Sequence, residues 1–145
     1  MGVSYIPEGY HNVTPYLIVD GAESAIRFYA EAFSAAEVMR MPMGENKLAH
    51  AEVRIGDSHV MLADEFPDMG FLGPQKRGGA TASLMVYVPD VDAAYAKAIA
   101  AGARQEREPA DQFWGDRIAI FNDLDGYHWT FATHLGGFDA SKAPK

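Results

Sequence analysis

The chain repeats its own pattern at an offset of 69 residues, and this repeat limits the possible folds more than any other feature. Thr14–Val19 (TPYLIV) has strand character. It leads into Ala22, Ala25, Ile26, Tyr29 and Phe33, apolar residues at helical spacing. Ser83–Val88 (SLMVYV) is a second such run. It leads into Ala93, Ala94, Tyr95, Ala98 and Ile99, and Ala101-Gly102 supplies a C-terminal stop. Val19 maps onto Val88 and Ala25 onto Ala94. At the far end of each half, Gly56–Ala63 (GDSHVMLA) maps onto Asp125–Ala132 (DGYHWTFA). The same offset at both ends predicts two modules of equal length, each reading strand, helix, strand, strand, strand.

Module one is expected over residues 12–66, with a helix at Ala22–Ala35 and later strands at Glu37–Met41, Leu48–Ile55 and His59–Ala63. Module two is expected over 81–135, with a helix at Val91–Ala101 and strands at Arg104–Glu106, Ile118–Phe121 and Trp129–Thr133. Residues 67–80 read as a linker rich in glycine and proline, and 136–145 as a tail that frays. The expectation is one α+β domain over 1–135, built from tandem βαβββ modules.

Composition narrows the function. Twelve Lys and Arg against twenty Asp and Glu leave a formal charge of −8, which argues against a nucleic-acid or anionic-membrane partner. The absence of cysteine removes disulfides, thiolate metal sites and cysteine nucleophiles together. The first ten residues have neither a basic segment nor a long apolar run, so no secretory signal is read there. A soluble cytoplasmic protein is expected.

The tandem βαβββ reading, with Val-Asp before each helix and Asp123-Leu-Asp-Gly-Tyr127 before the last strand, resembles the vicinal oxygen chelate superfamily of glyoxalases, bleomycin-resistance proteins and dioxygenases. A narrower resemblance, to its PhnB-like, glyoxalase-like branch, rests on four segments. These are His50–Ser58, Met61–Glu65, Asp111–Arg117 and Gly126–Trp129. The resemblance implies sheets that curve around a cavity, helices on the outer face, and a homodimer. It also implies a divalent metal held by His, Glu or Gln at four inward positions. Those positions fall here on Thr14, Met61, Ser83 and Thr130, whose hydroxyls and thioether are weak ligands for zinc or nickel. No metal ligand is therefore assigned, and the cofactor stays open.

Strand alternation predicts which side chains face the cavity. The expected lining is Thr14, Tyr16, His50, Glu52, His59, Met61, Ser83, Met85, Tyr87, Arg117, Phe121, His128 and Thr130, with Phe113 and Trp114 on a loop at the mouth. His50 and Glu52, two apart on one strand face, are the candidate catalytic pair, a general base with an orienting partner. Tyr16, Met61, Ser83, Tyr87, Phe113, Trp114, Arg117, Phe121 and Thr130 are candidate ligand contacts. His59 and His128 read as rim histidines, and His11 and His134 as structural or exposed. Three functions compete: a metal-independent small-molecule-binding protein, a metal-dependent lyase, isomerase or dioxygenase-like enzyme using His50 and Glu52, and a structural dimer without chemistry. Whether the protein is an enzyme stays open.

Overall fold

The computed structural model describes residues 2–145, and the two modules have the expected element order. In module one, β1 (Tyr16–Val19) is followed by α1 (Ala22–Phe33), β2 (Ala36–Pro42), β3 (Leu48–Ile55) and β4 (Ser58–Asp64). A 3-10 turn at Pro67–Met69 and a short helix α2 (Pro74–Arg77) follow. Module two has β5 (Ser83–Tyr87), α3 (Val91–Ala100), β6 (Arg104–Asp111), β7 (Asp116–Asn122) and β8 (His128–His134). The fold is α+β. Each module forms its own four-stranded sheet, in the orders β1-β4-β3-β2 and β5-β8-β7-β6. In each, the first strand pairs parallel with the last, and the other pairs are antiparallel.

Equivalent hydrogen bonds bear out the repeat. The Ala22 amide at the start of α1 donates to Asp64 Oδ1 at 2.9 Å. The Val91 amide at the start of α3 donates to Thr133 Oγ1 at 2.9 Å. Both members of the pair shift by 69. Each bond satisfies an orphan amide at a helix N-terminus.

Each sheet buries the face that carries its helix. In module one this face holds Leu17, Val19, Ala51, Val53, Val60 and Leu62. The core then continues between the modules. Phe33, at the end of α1, meets Phe121, Trp129 and Phe131 of module two at ring-centroid distances of 5.7, 4.7 and 4.9 Å. Helices α1 and α3 also touch. The helix faces therefore meet inside the chain, and the opposite, open faces look away from that junction.

Among the described residues, no strand pairs with the outer edges of β1 and β5. Residues 135–139 lie back against the loop before β7: Leu135 and Gly136 donate to the Gly115 carbonyl, Asp139 donates to that of Phe113, and Phe138 rests on Phe113 at 5.8 Å. Gly115 has to be glycine, since a Cβ there would come within 2.5 Å of the Gly137 carbonyl oxygen. No helix among the described residues is long and apolar enough to cross a membrane.

Candidate functional site

Register decides which side chains share the open face of module one. Glu52 lies opposite Met61, Arg54 opposite His59, Met41 opposite His50, and Tyr16 beside Met61. Tyr16, His50, Glu52, His59 and Met61 thus come together, as alternation predicts. They build a hydrogen-bonded chain. The Tyr16 hydroxyl lies 2.7 Å from His50 Nδ1. His50 Nε2 lies 3.2 Å from Glu52 Oε2. The Tyr10 hydroxyl donates to Glu52 Oε1.

A carboxylate only accepts, so His50 Nε2 carries the proton and Nδ1 accepts from Tyr16. Both nitrogens of His50 are then committed. Burial, reinforced by the Glu52 hydrogen bond and charge, pushes the Tyr10 phenol up to about 12. Burial and the Glu52 charge also raise Tyr16. Both hydroxyls therefore keep their protons at neutral pH.

Tyr10 has no periodic signal in the sequence, because it precedes the first strand. It is held by stacking on His59, with centroids 3.9 Å apart and planes at 20°. His59 Nδ1 in turn donates to the Gly9 carbonyl at 3.0 Å. His59 is therefore a support for the N-terminal segment.

The open face of module two has a different character. β5 presents Ser83, Met85 and Tyr87 beside His128, Thr130 and Ala132 of β8. Ile120 lies opposite Thr130 and Ile118 opposite Ala132. This corrects the expected facing of β7, and two expected ligand contacts leave the open face. Phe121 lies opposite Trp129, is 0% exposed and packs on Phe33 and Phe131. Arg117 turns to the helix side, where it binds Asp92 of α3 through Nε and Nη2 at 2.8 and 3.0 Å and Asp111 through Nη1 at 3.0 Å. The physical reason is that Ala119 and Phe121 meet the aromatic core while Ile118 and Ile120 face outward, so both faces of β7 are apolar. His128 pairs with Glu106 at 3.4 Å.

A second polar cluster stands at the far end of this face. Asp116, 3% exposed, accepts from His134 Nδ1 at 2.7 Å, the Tyr87 hydroxyl at 2.9 Å and Trp114 Nε1 at 3.2 Å. The bond from His134, with those from Tyr87 and Trp114, holds the Asp116 carboxyl below its usual range. The sequence reading takes His134 as structural or exposed and names neither it nor Asp116 as a site residue. The signal was present: β8 runs one residue beyond the expected end, and alternation then places His134 with His128, Thr130 and Ala132. Phe113, also expected at the mouth, stacks edge-on against Trp114 at 5.2 Å.

A groove of about 1200 Å³ wraps the free edge of β5. Its lining includes Leu84 and Val86 from one face of β5, Met85 and Tyr87 from the other, and Val13 and Thr14. His50, Glu52, Met61, Trp114 and Thr130 do not line it. The two open faces belong to separate sheets, and the groove reaches His59 of one and Met85 and Tyr87 of the other.

Thr14, Met61, Ser83 and Thr130 offer three hydroxyls and a thioether, a donor set that does not fit a zinc or nickel ion. Among the described residues no three His, Asp or Glu side chains converge on a common point.

The family model for the Glyoxalase/Bleomycin resistance protein/Dioxygenase superfamily matches residues 10–131. An uncharacterized protein of Mycobacterium bovis is 41% identical over 121 residues, covering 81% of this chain and 80% of that protein. An uncharacterized protein of Mycobacterium tuberculosis is also 41% identical over 121 residues, covering 81% of this chain and 71% of that one. The crystal structure of TioX from Micromonospora sp. ML1 is similar at a TM-score of 0.68 and 26% identity, over 86% of this chain and 99% of TioX. A Bacillus cereus PhnB protein, described as a putative 3-demethylubiquinone-9 3-methyltransferase, matches at a TM-score of 0.66 and 20% identity. It covers 85% of this chain and 99% of its own, and at that identity it speaks for the fold alone.

Proposed function

We propose that this chain, which belongs to the Glyoxalase/Bleomycin resistance protein/Dioxygenase superfamily, is a cytoplasmic, homodimeric protein that binds a small molecule on the open faces of its sheets. One observation carries the reading: the Tyr10–Glu52–His50–Tyr16 chain of hydrogen bonds stands on an open sheet face, and Tyr16 remains 49% exposed at its end. Here Tyr16 presents a hydroxyl whose proton is already committed to His50, which leaves its oxygen to accept from a donor on the ligand. Small-molecule sites combine apolar walls with a few fixed polar groups of this kind. The acidic balance of the chain favours a neutral or cationic ligand.

The unpaired edges of β1 and β5 support the dimer. Val13, Tyr16, Met85 and Tyr87 beside those edges are large apolar or aromatic side chains that a single chain leaves exposed. A second copy that brings its β5 edge to the β1 edge would place the two open faces around one cavity. Light scattering in solution tests this, with two chains expected and one chain contradicting it.

Binding is preferred to metal-dependent catalysis because His50 and Glu52 already hold tyrosine partners that an ion would have to displace. Elemental analysis of protein purified without chelator separates the two readings. Stoichiometric zinc, nickel or iron would favour the enzyme. A thermal-shift screen against neutral and cationic aromatic compounds tests the binding reading itself. It predicts compounds that raise the melting temperature of the native protein and stabilise Tyr16→Phe less, since binding to the folded state must raise apparent stability. No stabilisation by any compound would contradict it.

A further inference from the structure

The two open faces treat their imidazoles differently. His50 has both nitrogens engaged, Nδ1 with Tyr16 and Nε2 with Glu52. His134 has one. Its Nδ1 lies 2.7 Å from Asp116 Oδ1, and among the described residues no hydrogen bond engages its Nε2. An ionised carboxylate only accepts, so the proton of the neutral ring sits on Nδ1 and Nε2 carries a bare lone pair. The His134 side chain is 67% exposed, whereas that of Asp116 is 4% exposed.

Three donors from separate parts of the fold converge on Asp116: Tyr87 from β5, Trp114 from the loop before β7, and His134 from β8. That loop is fixed in turn. Leu135 and Gly136 donate to the Gly115 carbonyl, and Asp139 donates to that of Phe113. The aromatic rings of Trp114, Tyr87 and Phe138 stay exposed in this part of the molecule.

We propose that Asp116 and His134, with Tyr87 and Trp114, form a proton-accepting centre for a planar ligand bearing an acidic hydroxyl, a phenol or an enol. The ligand lies against the exposed face of Trp114. Its O–H bond breaks, the proton passes to His134 Nε2, and the electron pair stays on the ligand oxygen. The resulting imidazolium is held between that oxyanion and Asp116. No oxidant, metal or further reactant enters the step. An orienting carboxylate behind an imidazole fixes its tautomer and stabilises its protonated form. Tyr87 and Trp114 are positioning residues, because both spend their donors on Asp116 and not on the ligand. This centre is independent of the Tyr16–His50–Glu52 network.

p-Nitrophenol is a direct probe, because its phenolate is yellow and its phenol is not. At a pH where the free compound is mostly protonated, mixing with the native protein is expected to produce the phenolate band and quench Trp114. His134→Gln keeps an N–H for Asp116 but has no basic lone pair. It is expected to fold with an unchanged melting temperature, to give no phenolate band, and to bind about tenfold or more weakly. Tyr87→Phe, which leaves Trp114 as the one remaining donor to Asp116 Oδ2, is expected to reduce the band without abolishing it. Stabilisation of the native protein by p-nitrophenol without a phenolate band would overturn the proton-accepting centre and leave the binding reading standing. A band of full size in His134→Gln would overturn the assignment to His134. No band and no stabilisation would also overturn the proposal, while other compounds that raise the melting temperature would still support binding.

Discussion

Helices α1 and α3 begin on the same hydrogen bond and end in different surroundings. Asp64 anchors the first turn of α1, and Thr133, 69 residues later, anchors that of α3. From there the two diverge. α1 buries Phe28, Tyr29 and Phe33 and reaches the aromatic rings of module two, whereas α3 buries only Val91 and Ala98 fully. The duplicated pattern dictates topology and capping positions, but it leaves packing unequal. One helix serves both sheets and the other serves mainly its own. The open faces diverge in the same way. His50 and Glu52 of β3 correspond by register to Ile118 and Ile120 of β7, so module one offers a polar network where module two offers an apolar wall.

Substitutions test this asymmetry between the modules. The largest effect is expected at Phe33→Ala, which removes the ring that joins α1 to Phe121, Trp129 and Phe131. It should cost about 3–5 kcal/mol in urea unfolding. A cost below about 1 kcal/mol would mean that α1 does not carry the junction.

The two helix anchors should also differ. Asp64 accepts from Gly21, Ala22 and Leu48, so Asp64→Ala strands three amides and should cost about 3 kcal/mol. Thr133 accepts from Val91 and donates to Val88, so Thr133→Val should cost about 1 kcal/mol. Equal costs would deny the asymmetry.

The β7–β8 turn carries a pH dependence of its own. Burial, reinforced by the charge of Asp123, pushes Asp125 up to about 6, although the Asp20 amide bond at 2.8 Å opposes the shift. With a folded value above the unfolded one, the folded state binds the extra proton. The contribution of Asp125 is therefore most favourable below about pH 4 and is lost as pH rises through about 6. Asp125→Asn keeps the acceptor for the Asp20 amide and removes the charge. It should gain roughly 2 kcal/mol at pH 8 relative to the native protein and show a flatter stability profile between pH 4 and 6. Urea unfolding across that range checks both.

The smallest effect is expected at Tyr95→Phe. The Tyr95 hydroxyl is buried with no hydrogen-bond partner among the described residues, so its removal should be neutral or stabilising by up to ~1 kcal/mol.

Most of the fold was legible in the sequence because both modules show clear periodicity and matched turns. β3 appears with the expected bounds, and the other strands differ at their ends. The site was legible where one face of a strand is polar, as at His50 and Glu52. It was misread where both faces are apolar. Ile118 and Ile120 look like a core-facing pair, and alternation has no contrast there to choose the face. Matching Ala51-Glu52-Val53 to Ala119-Ile120-Phe121 gives the observed facing, at an offset of 68. The residue is regained in the next turn. Ile55 pairs with Ser58 across Gly56-Asp57, whereas the Asp123 amide meets the Tyr127 carbonyl across Leu124-Asp125-Gly126. Tyr10 could not be found this way, because its contact with Glu52 spans 42 residues from an irregular segment.

The claim that a small molecule binds on an open face can be read from the two tryptophans. Trp129 is fully buried at the module junction, and Trp114 is 37% exposed on the loop beside Asp116. Compounds that raise the melting temperature should be titrated while tryptophan emission is followed. The account predicts stabilisation that weakens in Tyr16→Phe for a ligand on module one, or a saturable emission change with the same midpoint, absent in Trp114→Phe, for a ligand on module two. Stabilisation that is undiminished in Tyr16→Phe and leaves Trp114 emission unchanged would place the ligand on neither open face and contradict it.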